Sequence, residues 1–247
     1  MTKKKLDLSA SERLDDLQCE GLRIVQNPQL YSFTSDSVVL ANFIKIKKGE
    51  VAVEIGSGSG VISILATKKT NAKFITGFEL QKELFKMSEK SLQINGIENV
   101  KFINDDVRNY KKHITPGSAD VVFSNPPYKR EGSASKNENP SKAIARHEKS
   151  LPLKDLVKTA SGILKFGGRA YFVYDADRSC EMIAELIKSN LEPKRMFFTE
   201  NGKGQVVLFV VEAVKGGKPG VKALPNLRTN DADGKYIDAI KNGVWGK

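Results

Sequence analysis

The chain is poor in the residues that usually carry metal or disulfide chemistry, with 2 cysteines and 2 histidines in 247 residues. Cys19 and Cys180 are isolated, too few for a disulfide framework, and they lack metal-ligand spacing. Neither stands in the Pro-Cys context of a cytosine-C5 nucleophile. His113 lies in a turn-like "KKHITPG" and His147 in a polar stretch, so no nucleophilic triad or metal cluster is expected. The single tryptophan, Trp245, reads as an anchor for the C-terminal tail. Long apolar runs are missing too: nothing approaches the roughly 18 residues of a membrane span. The opening "MTKKKLDLSASERLDD" has no apolar core behind its lysines, which argues against a secretory signal and for a reduced, cytoplasmic location. Acidic residues are outnumbered, 29 against 40 Lys+Arg, for a net charge of +11. That balance favours a polyanionic partner, because neutralising phosphates releases counterions.

What is present is an alternation. Short β-rich runs at 51–55, 73–79, 99–105, 118–124 and 169–175 are separated by helical patterns at 60–69, 80–95, 151–168 and 176–190. Such alternation implies a mostly parallel sheet covered on both faces. The last two runs, 193–200 and 204–214, have no helix between them and should form an antiparallel hairpin at one edge. Three units are expected: a hairpin and helix extension over 1–45, the main domain over 46–214, and a basic tail over 215–247 packing on or beside it. The extension should turn at Asn27-Pro28. Residues 129–150 have the composition of a lid or mobile loop. No internal repeat is present.

The first strand ends in "VEIGSGSGVI". Gly56, Gly58 and Gly60 permit a tight turn and close approach of a ligand to the backbone. Glu79, with Leu80 beside it, ends the second strand about twenty residues on, where a carboxylate can accept both hydroxyls of a ribose. A dinucleotide or S-adenosyl-L-methionine would satisfy this much. Glu54 inside the strand end, and the absence of an arginine-rich pyrophosphate site, favour the second, which carries an ammonium and no phosphate. In "NDDVRNY", Asp106 is the better acceptor for an adenine amino group, with Val107 able to pack on the ring.

The fourth strand runs into "ADVVFSNPPYKR". Proline ends strand pairing and holds the preceding residue extended, which leaves Asn125 beyond the strand end, where α/β proteins bind ligands. An exocyclic or amide nitrogen is a poor nucleophile because its lone pair is delocalised. Two acceptors aimed at its hydrogens, the Asn125 side-chain oxygen and the Pro126 carbonyl, favour a pyramidal nitrogen as charge develops. Pro126 and Pro127 stiffen the pair, and Tyr128 can stack on a flat substrate. A proline turn that merely stops a strand would share the local sequence, but not the glycine loop, Glu79 and Asp106 upstream.

Taken in that order, the motifs resemble the N6-adenine and glutamine-amide branch of the S-adenosylmethionine-dependent methyltransferases, over roughly residues 33–212. The resemblance implies an α/β, Rossmann-like seven-stranded sheet in the order 3-2-1-4-5-7-6, with strand 7 antiparallel and helices on both faces. More narrowly, "GLRIVQNPQLYSFTSDSVVLANF", "RHE" at 146–148 and "GKYIDAI" are similar to the bacterial tRNA(Val) adenine-N6 methyltransferases, which modify the adenine next to the anticodon. That likeness places Phe33 and Thr34 against the methionine end of the cofactor, although Thr34 and Ser35 are also plausible helix N-caps. It implies a tRNA substrate, contacted by Tyr128, Lys129, Arg130 and Arg146, and no metal. A guanine-N2 ribosomal RNA enzyme, a glutamine-amide protein methyltransferase and a non-catalytic RNA-binding module with this fold are the alternatives. The last should have lost a motif, and none is lost. The oligomeric state stays open, with a monomer favoured.

Overall fold

The computed structural model describes residues 8–30, 32–126 and 151–230. Its centre is a run of apolar strands: β3 (Val51–Ile55), β4 (Phe74–Phe78), β5 (Val100–Ile103), β6 (Ala119–Ser124) and β7 (Leu164–Asp175). Val121, Val122 and Phe123 of β6 are fully buried, although successive side chains point to opposite faces. Both faces are therefore covered, as parallel strands require. Helices α1 (Ser35–Phe43), α2 (Val61–Lys69) and α3 (Lys82–Asn95) contribute Leu40, Leu65 and Leu92 to the core on one side. Helices α4 (Leu153–Ile163) and α5 (Ser179–Lys188) contribute Val157 and Met182 on the other.

β8 (Leu191–Glu200) and β9 (Val206–Lys215) form the expected antiparallel hairpin, and β9 inserts between β8 and β7, antiparallel to both. The order from the far edge is thus β5-β4-β3-β6-β7-β9-β8, the arrangement the motifs implied. The sheet has nine strands rather than seven. The additional two are short: β10 (Lys222–Ala223) and β11 (Leu227–Arg228) pair with β8 and cover its edge. No helix among the described residues is long and apolar enough to cross a membrane.

Two local expectations are corrected. β1 (Arg13–Asp16) and β2 (Arg23–Gln26) make the N-terminal hairpin, but it turns over residues 17–22, where Gln18, Glu20 and Gly21 have positive φ. β2 finds its partner upstream, and Asn27 instead accepts the Gln29 N–H at 2.9 Å in a turn leading away. The helix expected to run to Gly167-Gly168 stops at Ile163, because Leu164 already pairs with Ala119. From Leu164 to Arg169, five positions of β7 span two of β6, so the two glycines belong to a bulge rather than a helix cap. Gly162, inside α4, is required by packing: a Cβ there would lie 2.4 Å from the Tyr110 hydroxyl oxygen.

Candidate active site

Parallel strands deliver their carboxyl ends to one rim, and four connections meet there. The turn after β3 is closed by the Ser57 N–H to Phe78 O (2.9 Å) and the Gly60 N–H to Ser57 O (2.8 Å). Gly56, Gly58 and Gly60 have φ of 70°, 56° and 88°, which L side chains rarely adopt. At Gly60 space is short as well, since a Cβ would sit 2.6 Å from Phe102 Cζ.

Glu79, just past β4, faces this turn. Its carboxylate accepts the Gly58 N–H and the Gln81 N–H, each at 2.7 Å. One oxygen serves each amide, so both keep lone pairs for a vicinal diol. Burial pushes its pKa up, against the pull of those amides. Glu54 is fully buried on the α2 side of β3, where Oε2 accepts the Ser63 N–H at 3.1 Å and the Ser63 hydroxyl. Its Oε1, like the Ser57 hydroxyl, is buried with no partner among the described residues. Desolvation pushes the Glu54 pKa up to about 8. An unmet carboxylate oxygen under a glycine turn suits a ligand that brings an ammonium, and Glu79 suits its ribose.

After β5, Asp106 caps the 3-10 turn over 107–112 by accepting the Arg108 N–H at 2.9 Å, and its two oxygens also hold the Arg108 guanidinium. That guanidinium holds its pKa low. Asp105 is tied to His113 Nε2 at 2.7 Å and to the Asn109 amide. His113, read from sequence as a turn residue, is thus a structural partner of the acid beside the site. Val107 is buried, whereas Leu80 is half exposed. Among the described residues no three His, Cys, Asp or Glu side chains are placed to hold a metal.

Asn125 and Pro126 follow β6 at the same rim. The Asn125 amide nitrogen donates to the buried Ser37 hydroxyl at 3.0 Å, which turns its oxygen away from α1. Thr34 occupies the N-cap of α1, but its side chain makes no capping hydrogen bond. The Phe33 N–H donates to Gln26 Oε1 (3.1 Å), while Gln26 Nε2 donates to the Ser59 hydroxyl (2.6 Å). A wholly buried glutamine therefore joins the N-terminal extension to the glycine turn. Sequence reasoning missed Gln26 and Ser37; a lone polar residue closing the apolar "RIVQ" was the available signal. Pro127, Tyr128, Lys129, Arg130, Arg146, the 129–150 segment and Trp245 lie outside the described residues.

The reversed last strand, the glycine turn, the buried acid facing it and an Asn-Pro step on the central strand define a Rossmann-like, S-adenosylmethionine-dependent methyltransferase. Residues 22–202 match the model of the family described as methyltransferase small domain, and the chain belongs to that family. It is 33% identical over 113 residues to a Methanocaldococcus jannaschii protein named as a protein N5-glutamine methyltransferase, a match to 45% of this chain and 54% of that one. It is 26% identical over 224 residues to the tRNA1(Val) (adenine(37)-N6)-methyltransferase of Haemophilus influenzae, covering 88% of this chain and 91% of that one. In fold it is similar to the crystal structure of a protein described as a predicted O-methyltransferase from Agrobacterium tumefaciens. The TM-score is 0.68 at 17% identity, over 86% of this chain and 98% of that one.

Proposed function

We propose that the protein transfers a methyl group from S-adenosyl-L-methionine to the exocyclic N6 amine of an adenine in tRNA, in the tRNA(Val) anticodon loop next to the anticodon, and acts in the cytoplasm. The observation that carries this reading is the placement of Asn125-Pro126 at the end of the central strand, with the Asn125 oxygen free of its buried anchor.

The cofactor supplies an electrophilic methyl group. Glu79 would hold its ribose, Glu54 its ammonium, and Asp106 with Val107 and Leu80 the adenine end, while Phe33 and Thr34 flank the methionine end. Asn125 Oδ1 and the Pro126 carbonyl would accept the two N–H bonds of the target amine. As the nitrogen lone pair forms the new N–C bond and the sulfur–methyl bond breaks, positive charge grows on nitrogen and both acceptors bind more strongly. The cationic product then sheds a proton to water, so no strong base is needed.

A tRNA substrate is supported by the basic balance of +11 and by the end-to-end likeness to an adenine-N6 enzyme. A glutamine-amide substrate uses the same two acceptors, and the higher identity to the Methanocaldococcus protein favours it over the shared segment alone. Methylation of unmodified tRNA by the purified protein, followed by mass-spectrometric mapping of nucleosides, tests the proposal. N6-methyladenosine at the anticodon-adjacent adenine is the expected product. Methylation confined to N2-methylguanosine, or to a protein glutamine, would replace it.

A further inference from the structure

At the carboxyl rim, the cofactor-facing elements lie over β3, β4 and β5, and Asn125 stands at the end of β6. On the opposite side of Asn125, over β8 and β9, is a cavity of about 320 Å³. Its walls are the first turn of α1 at Ser35 and Asp36, the end of β8 at Thr199, and the start of β9 at Val207 and Leu208. Asn201 and Thr229–Asn230 complete them. The same first turn of α1 bears Ser37, which anchors Asn125. The cavity is therefore separated from the reacting amine by about one helix diameter, roughly 10 Å. It lies on the substrate side, and at about 300 Å³ it falls at the lower end of small-ligand sites.

The lining has a definite chemistry. Val207 and Leu208 give an apolar wall. Asp36 is the one ionisable group among the described lining residues, and no cation accompanies it, so a phosphate would be repelled. Asn201 is fixed: its oxygen accepts the Lys203 and Gln205 N–H groups at 3.0 Å. Thr229 is spent on Glu200 O and Asn230 Oδ1. Thr199 is different. It is wholly buried, and its hydroxyl has no partner among the described residues. Valine would fill the same volume without leaving a buried polar group unmet.

Resting on the tRNA reading above, we propose that this cavity is a nucleobase subsite. It takes the base of a nucleotide neighbouring the target adenine, sandwiched on Val207, with Thr199 and Asp36 on its polar edge. Because the walls repel phosphate, the backbone of that nucleotide stays outside.

The test uses the full chain and a set of anticodon stem-loop RNAs in which each neighbour of the target adenine is in turn made abasic. Wild-type enzyme should show a raised KM with one of these RNAs. Thr199→Val should raise KM for the intact RNA by roughly 3- to 10-fold, the usual worth of one lost hydrogen bond. It should add little for the RNA abasic at that position, and leave cofactor affinity unchanged and the melting temperature equal or higher. Asp36→Asn should change KM with the same positional dependence. Equal KM values for wild type and Thr199→Val on every RNA that wild type methylates would overturn the subsite. Failure of wild type to methylate any of these RNAs, with cofactor bound, would instead overturn the tRNA reading on which the subsite stands.

Discussion

Asn125 and Ser37, 88 positions apart, meet through a 3.0 Å hydrogen bond in which the amide nitrogen donates to a buried hydroxyl. The bond decides which end of the amide faces the reaction. Without it the nitrogen and oxygen could exchange places, and half the orientations would present a donor to a donor. Ser37→Ala should therefore lower turnover several-fold, with cofactor affinity unaltered. Asn125→Ala should lower turnover by roughly 10² or more, as loss of one preorganised electrostatic partner does in other enzymes. Single-turnover methylation beside a melting curve separates these effects from unfolding. A stable Asn125→Ala enzyme with near-normal turnover would remove the amine-polarising role.

Glu79 has one backbone N–H on each oxygen and is nearly buried. Glu79→Ala should weaken cofactor binding by about 1.5–3 kcal/mol, typical of hydrogen bonds to a charged group. Calorimetry on the folded variant measures it directly, and unchanged affinity would place the ribose elsewhere.

Glu54 predicts a pH dependence. Its pKa rises from the ordinary 4.5 to about 8 in the folded protein, chiefly through desolvation. A raised carboxyl pKa means that folding favours the protonated form. Its contribution to stability is thus complete below the unfolded value and disappears as pH climbs through the folded one. Melting temperature should fall between pH 5 and pH 8.5, and less so in Glu54→Gln. Cofactor affinity should rise over the same window, because the ammonium binds the ionised carboxylate. Calorimetry at pH 7 in buffers of different ionisation enthalpy should count a released proton in the wild type and none in Glu54→Gln.

Gly60 combines a φ of 88° with a Cβ position 2.6 Å from Phe102. Gly60→Ala should cost about 1–3 kcal/mol of stability, the range for overpacking and backbone strain together. Phe102→Leu should return part of that loss in the double variant. Denaturant midpoints provide the comparison, and simple additivity would mean the ring is not the obstacle.

Lys129, Arg130 and Arg146 are expected to touch RNA backbone rather than bases. Reversing all three charges should weaken RNA binding and flatten its salt dependence, since fewer counterions are released. An unaltered salt slope would direct attention to the N-terminal lysines or the basic tail.

The strand order, the glycine turn and the positions of Glu54, Glu79, Asp106 and Asn125 were legible in the sequence because each rests on a local rule. Apolar runs bounded by turn residues make parallel strands, and parallel strands carry their ligand-side residues at one end. Boundaries that depend on pairing were not legible. Nothing between 151 and 168 says that Leu164 leaves the helix to join Ala119, because that choice belongs to β6. The hairpin turn at 17–22 likewise followed from where β2 found its partner, not from the Asn-Pro that follows it. Only the tertiary structure could bring Ser37 to Asn125, Gln26 to Ser59 or His113 to Asp105. Those contacts join segments remote in sequence or hang on one backbone turn, and a buried polar side chain takes whichever partner packing delivers. The partnerless hydroxyl of Thr199 is the extreme case: a β-branched residue in a strand looks ordinary, and burial alone makes its hydroxyl conspicuous.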